Sequence, residues 1–316
     1  MLKSLHIKNF RGLRDLEIEP LKRVNLITGQ NNTGKTGVLE ALTLLLANQN
    51  VSASLPNLFR IAGGDYDENF WKWLFNNKNS DSVIKIRASF DILKDFEIEL
   101  TTETGGPQPD RQFGKIYGYT LEGMKSAGHK PAIFSTHPSN PTQDAIDYNR
   151  VILKRRKKQV EKLLREIEPR LEAVEALQTG QPGQSSSLIY ADLGLSEMIP
   201  VTQLGQGFNR LLDIYSEIVA ADANVLLIDE IENGLHHSVM PVIWKGLFLA
   251  AKEFGVQIFA TTHSWECILA ADEAARVGEN YDLALIRLDR VKEDIKATVI
   301  DEKSLSTAKE LQWEMR

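Results

Sequence analysis

A chain of 316 residues, 42% hydrophobic and 25% charged, has room for one large core or two modest ones and lies outside the disordered and fibrous compositions. A net charge of −6 and a pI near 5.6 argue against wholesale polyanion binding, although a local basic patch remains compatible with nucleic acid. The single cysteine, Cys267, cannot form an internal disulfide, no apolar run approaches the roughly 20 residues that cross a bilayer, and MLKSLHIKNF lacks the apolar stretch of a secretion signal; a reducing, cytoplasmic setting without membrane contact is expected.

Residues 4–10, 14–19 and 23–28 read as short strands. The first two carry alternating apolar positions (Leu5, Ile7; Leu16, Ile18), and the third, Val24-Asn25-Leu26-Ile27, runs into glycine. A helix then opens at Gly34-Lys35-Thr36, with Val38, Leu39, Leu42, Leu45 and Leu46 as its apolar stripe. Residues 48–82 are irregular, and their aromatics Phe59, Phe70, Trp71, Trp73 and Phe75 are expected in a lobe core. Segments 83–92 and 95–102 alternate like an antiparallel pair turning at Leu93 and Lys94.

Gly105–Asn140 is rich in Gly, Pro and Ser, after which about 145–168 turns helical. The basic run Lys154-Arg155-Arg156-Lys157-Lys158 falls here and reads as a solvated helix face, with a DNA contact as its alternative. Pro169 breaks or restarts a helix, so two helices are expected, the apolar stripe continuing through Leu171, Val174 and Leu177. That stripe is too short for a coiled-coil arm. Gln178–Ser187 reads as a flexible turn.

Beyond it, strand 188–192, helix 208–220, the continuously apolar strand 224–228, helix 238–253, strand 256–260, helix 264–276, and strands 283–288 and 295–300 alternate as a parallel sheet covered on both faces does. The expected organisation is an α/β core of residues 1–50 and 185–316, with residues 51–184 as an inserted lobe of antiparallel strands and a short helical pair.

Gly29-Gln30-Asn31-Asn32-Thr33-Gly34-Lys35-Thr36 fits the phosphate-loop pattern G-x-x-x-x-G-K-[ST] in full, between a strand and a helix. Backbone N–H groups of Gly29, Asn31, Asn32, Thr33, Gly34 and the adjoining Gly37 can converge on a phosphate tail at the positive end of the helix. Lys35 would reach the β- and γ-phosphates, and the Thr36 hydroxyl would ligate Mg²⁺. ATP and Mg²⁺ are the ligands this pattern calls for.

Val225-Leu226-Leu227-Ile228-Asp229-Glu230 is an apolar strand ending in two acids. Asp229 is placed to hold Mg²⁺ through water, and Glu230 to take a proton from the water attacking the γ-phosphate. Thr261-Thr262-His263-Ser264 ends another apolar strand. Parallel strands deliver their C-terminal residues to one crevice, which is the reason to expect His263 beside Glu230.

These motifs, with Asn9-Phe10-Arg11, Leu204-Gly205-Gln206-Gly207-Phe208-Asn209-Arg210 and Glu232-Asn233-Gly234-Leu235-His236, resemble the SMC/ABC ATPase superfamily, and more closely its OLD-like and RecF-like AAA-type members. The resemblance implies a mixed sheet flanked by helices and a nucleotide sandwiched head to tail between two copies. It makes Gly205, Gln206 and Gly207 the signature that touches the γ-phosphate held by another protomer, 232–236 a dimer-facing loop, and Arg11 a nucleotide-side arginine. Gln143 is one placement of the family's Q-loop glutamine. Gly205 departs from the transporter form, which has serine there, and this puts a hydroxyl contact in doubt.

Three functions follow from the resemblance: an OLD-like ATPase serving an antiviral or DNA-processing system, a RecF-like repair protein binding DNA itself, or a nucleotide-gated scaffold with little turnover. Glu230 favours turnover, and the acidic balance favours the first over the second. The segment after Ser264 is too short for the TOPRIM nuclease domain that OLD-like proteins commonly carry. A homodimer or higher homo-oligomer with a separate effector, such as a TOPRIM-type nuclease, is therefore expected.

Overall fold

The structure, a computed structural model, describes residues 1–46, 73–79, 81–91, 96–100, 132–135, 141–179, 186–278 and 280–310. The chain forms two compact units, Met1–His129 with Phe259–His263 and Ala284–Arg316, and Lys130–Ile258 with Ser264–Leu283.

In the first unit, β1 (Leu2–Phe10) is the centre of an antiparallel sheet, pairing with β2 (Leu13–Ile18) and with β4 (Ile84–Phe90), which in turn pairs with β5 (Phe96–Leu100). Register sets Leu5 opposite Ile18 and Ile7 opposite both Leu16 and Ile86, so one face is continuously apolar. The antiparallel reading holds for β4 with β5, but β4 adds to the sheet of residues 2–18 instead of standing in a separate lobe. At the β1–β2 turn, Asn9 and Arg11 take positive φ values of 55° and 51°. Segment 74–76 holds the turn in place: Arg11 N donates to Leu74 O, and Asn76 Nδ2 donates to Arg11 O.

All six residues of β3 (Val24–Gly29) are buried, as suits a strand covered on both faces. Within this unit its sheet neighbours are β12 (Leu283–Val291) and the C-terminal half of β11 (Gln257–Thr261); β12 pairs antiparallel with β13 (Asp294–Ile300), which packs on β2. Helix α1 (Lys35–Leu46) follows β3.

In the second unit, β10 (Val225–Ile228) pairs in parallel with β6 (Ala132–Ser135), a short edge strand hidden in a Gly/Pro-rich stretch where no element was expected. Helices α2 (Pro141–Leu153) and α3 (Lys157–Arg165) break at Arg155, whose φ is 59°, and not at Pro169. The expected second helix is instead a strand: β7 (Ala173–Thr179) pairs with β8 (Ser186–Asp192), which also pairs with the short β9 (Ile199–Pro200), and Val174 faces Ala191. Three apolar positions at 171, 174 and 177 were too few to separate the two periods. The hairpin also straddles the expected boundary between 184 and 185.

Three helices complete this unit: α4 (Gln206–Ala221), α5 (Met240–Phe254) and α6 (Trp265–Arg276). The basic run has structural partners. Lys154 Nζ donates to Val219 O, Ala220 O and Asp222 Oδ2, placing a cation on the negative end of α4, while Lys157 pairs with Glu175.

Gly246 lets α4 and α5 approach: a Cβ there would lie 2.6 Å from Leu211 Cδ1 and 2.7 Å from the Tyr215 hydroxyl, itself hydrogen-bonded to Gly246 O at 3.0 Å. Gly246→Ala gains about 1 kcal/mol of helix propensity. Overpacking costs about 1–3 kcal/mol, and the anchored tyrosine cannot swing aside. The expected result is a melting temperature lower by a few degrees; an unchanged or higher value would contradict this packing.

Trp73, expected in a core, is 60% exposed under Lys78, whereas Phe75 is buried and bridges to Phe10. Phe59, Phe70, Trp71, the turn at Leu93 and Lys94, residues 180–185 of the expected flexible turn and most of Gly105–Asn140 lie outside the described residues. Among the described residues no helix is long and apolar enough to cross a membrane.

Candidate functional site

The loop from β3 to α1 is built around its first glycine. Gly29 has φ 144°, and a Cβ there would collide with the carbonyl oxygen of Leu288 on β12 and lie 2.9 Å from Thr33 Oγ1. No other residue fits, so the strand can turn into the helix at this point only with glycine. Thr33 Oγ1 donates to Gln30 O at 2.8 Å, and Arg290 Nη2 donates to Asn32 O at 2.8 Å, clamping the loop from inside and outside. Asn31 and Asn32 are exposed, and Asn32 takes a φ of 63°. Lys35 is only 6% exposed, and its Nζ donates to Gly29 O (2.7 Å) and Gln30 O (2.8 Å), folding its charge back over the loop. Thr36 is half-buried at the first turn, and Gly34 and Gly37 pack on Leu13. A buried ammonium above exposed loop residues at a helix N-terminus fits a polyphosphate.

Arg11 does not stand alone in this unit. Its Nε lies 3.0 Å from the carboxylate of Glu40, a buried residue of α1. Burial pulls the guanidinium below its ordinary pKa, while Glu40 acts in the opposite direction. The pair locks the β1–β2 turn to the phosphate-loop helix, so the structure gives Arg11 a positioning partner that the sequence did not indicate. Glu40 and Arg290 were both missed: one reads as a stray acid in an apolar helix, the other as part of a hairpin tip.

Thr262 N donates to Ile27 O at 3.0 Å, tying the end of β11 to the strand that enters the phosphate loop; the half-buried His263 is the next residue. The first unit thus gathers Arg11, residues 29–37 and His263.

The second unit holds the two acids and the signature. Asp229 is buried at the end of β10, and half-buried Glu230 takes a φ of 47°, a left-handed backbone that a non-glycine residue adopts at a cost of order 1 kcal/mol or more. Asn233 N closes the turn on Glu230 O at 2.7 Å, and Asn233 and Gly234 are exposed. Gly205, with φ 96°, caps α4 and faces open space; Gln206 is exposed too. Gly207 is buried, and a Cβ there would meet Val239 and Val242 at an ordinary contact distance of 3.7 Å. Gln143 is exposed on α2, where its Nε2 donates to Asp147 Oδ2 at 2.9 Å. Among the described residues no group of three or more His, Cys, Asp or Glu side chains is arranged to hold a metal.

The model of the AAA ATPase domain family matches residues 1–178 and 112–268. An ATP/GTP phosphatase of Helicobacter pylori is 25% identical over 335 residues, covering 87% of this chain and 89% of that protein. The DNA replication and repair protein RecF of Nitrosococcus oceani is 51% identical over 44 residues, 14% of this chain and 12% of that protein. Among solved structures, an SMC head bound to the C-winged helix domain of ScpA superposes with a TM-score of 0.59 at 13% identity, covering 96% of this chain and 99% of that one. The SMC head domain from Thermotoga maritima gives 0.53 at 15% identity, covering 95% and 99%. With the family model matched over most of its length, the chain belongs to the AAA ATPase domain family and is an ATPase, built on the fold of SMC heads.

Proposed function

We propose that the chain is an OLD-like, Mg²⁺-dependent ATPase that holds ATP between two copies of itself. The observation that carries this reading is the amino end of α4: Gly205 and Gln206 are exposed, with the glycine in a left-handed conformation that opens the first N–H groups of a 16-residue helix. Such an end attracts an anion, and in the resembled family that anion is the γ-phosphate of the other protomer.

In this reading residues 29–37 wrap the phosphates and Lys35 neutralises the β- and γ-oxygens. Thr36 and Asp229 hold Mg²⁺, which when bound offsets the charge on the phosphate oxygens. Glu230 accepts a proton as a water oxygen bonds to the γ-phosphorus and the bond to the ADP oxygen breaks. His263 orients the γ-phosphate, and Arg11, held by Glu40, supports the phosphate-loop helix on the nucleotide side.

A RecF-like protein binding DNA directly is the second reading, supported by the short RecF match. The basic run weighs against it, because Lys154 and Lys157 are committed to α4 and Glu175. A separate effector, of the TOPRIM nuclease kind, completes the proposal. Light scattering of the Glu230→Gln protein tests the sandwich: ATP with Mg²⁺ should convert it to a species of twice the mass obtained with ADP. An identical mass in both nucleotides would count against it.

A further inference from the structure

Helix α4 has a second polar feature, away from its signature end. Asn209, Asp213 and Glu217 recur every four residues and so form one stripe. The helix packs on α2, which brings Asp144 and Asp147 to the same seam. A small cleft opens there, with Asp144, Asn209 and Asp213 lining it beside apolar walls that include Leu188, Ile189 and Pro200. It lies wholly within the second unit.

The polar groups of this cleft are poorly matched to one another. Asp213 is 6% exposed, yet it accepts no hydrogen bond and closes no ion pair among the described residues. Asn209 Oδ1 is buried without a partner, as are Glu217 Oε2 and Arg210 Nη1. Burial first, then the charges of Asp144, Glu217 and Asp147, push Asp213 up to about 8 against the pull of Arg210. Burial likewise lifts Glu217 to about 7 and pulls Arg210 down to about 10. Arg150, the other cation of the seam, is bound to Asp147 at 2.7 Å. A buried acceptor without a donor costs free energy that a ligand bringing the donor recovers. The Asp213 carboxylate and the Asn209 amide oxygen both accept, and the walls are apolar. The complementary ligand is a compact cation on an aliphatic stem.

We propose that this cleft binds an alkyl ammonium or guanidinium group, presented by a lysine or arginine side chain of a partner protein or by a free polyamine. Asp213 takes the charged head, Asn209 takes a further N–H, and Leu188, Ile189 and Pro200 cover the stem. Because the cation pairs with ionised Asp213, binding at neutral pH releases a proton.

The test is a ligand-observed NMR titration of the full chain with n-butylammonium at constant ionic strength, with n-butanol as the neutral control. The expected result is saturable binding of the cation alone, tightening about tenfold between pH 7 and pH 9 as Asp213 gives up its proton. Asp213→Asn should weaken binding at least tenfold and abolish the pH dependence. Thr202→Trp fills the exposed mouth of the cleft and leaves the carboxylate intact; it should also abolish binding. Tighter binding of a lysine-containing peptide than of spermidine would assign the site to a protein partner, and the reverse to a polyamine; either supports the site. No saturable binding, binding undiminished in both variants, or equal binding of n-butanol would overturn it.

Discussion

Lys35→Ala is expected to abolish detectable ATP binding, and hydrolysis with it. The ammonium is almost fully buried and is held by two loop carbonyls at 2.7 and 2.8 Å, so its position is fixed before a phosphate arrives. A hydrogen bond to a charged group contributes about 1.5–3 kcal/mol. With two phosphates contacted, the loss is roughly 3–6 kcal/mol, or at least about a hundredfold in dissociation constant. Fluorescence titration with a labelled ATP measures it, and an unchanged melting temperature excludes unfolding as the cause. Wild-type affinity would remove Lys35 from the site.

Glu230→Gln separates binding from chemistry. The amide keeps the size of the side chain and the turn closed by Asn233, and the left-handed backbone strain is the same in both proteins. Affinity for ATP should therefore be retained, while turnover falls by roughly 10² to 10⁴, the usual contribution of a general base. Steady-state phosphate release beside an ATP titration resolves the two. Turnover at the wild-type rate would show that another group takes the proton.

The parts of the fold that could be read in the sequence are those where one physical pattern dominates. Strand β10 is apolar at every position because both its faces are covered, and α4 and α5 carry long, regular apolar stripes. Glycine marked the phosphate loop because only glycine tolerates the approach of Leu288. Reading failed where a segment is short and its partner distant. Ala132–Ser135 becomes a strand through Val225–Ile228, about ninety positions along the chain, and β7 through β8. Local periodicity holds no record of either partner. In the site, Glu40 was invisible because its partner Arg11 belongs to the β1–β2 turn, two strands earlier in the chain. The basic run shows the converse: it stood out as a charge cluster, yet Lys154 caps a helix.

The central claim is that each ATP needs a phosphate loop from one copy and a signature from another. Gln206→Glu is suited to testing it, since the residue is exposed in the first turn of α4, where a carboxylate suits the helix but repels a γ-phosphate. Lys35→Ala and Gln206→Glu proteins should each be nearly inactive alone. A mixed dimer contains one pocket with both an intact loop and an intact signature. Phosphate release from the mixture, after subunit exchange has been verified, should therefore recover to as much as about a quarter of the wild-type rate: half the dimers are mixed, and each has one working pocket of two. A mixture no more active than its separate components would contradict the shared site.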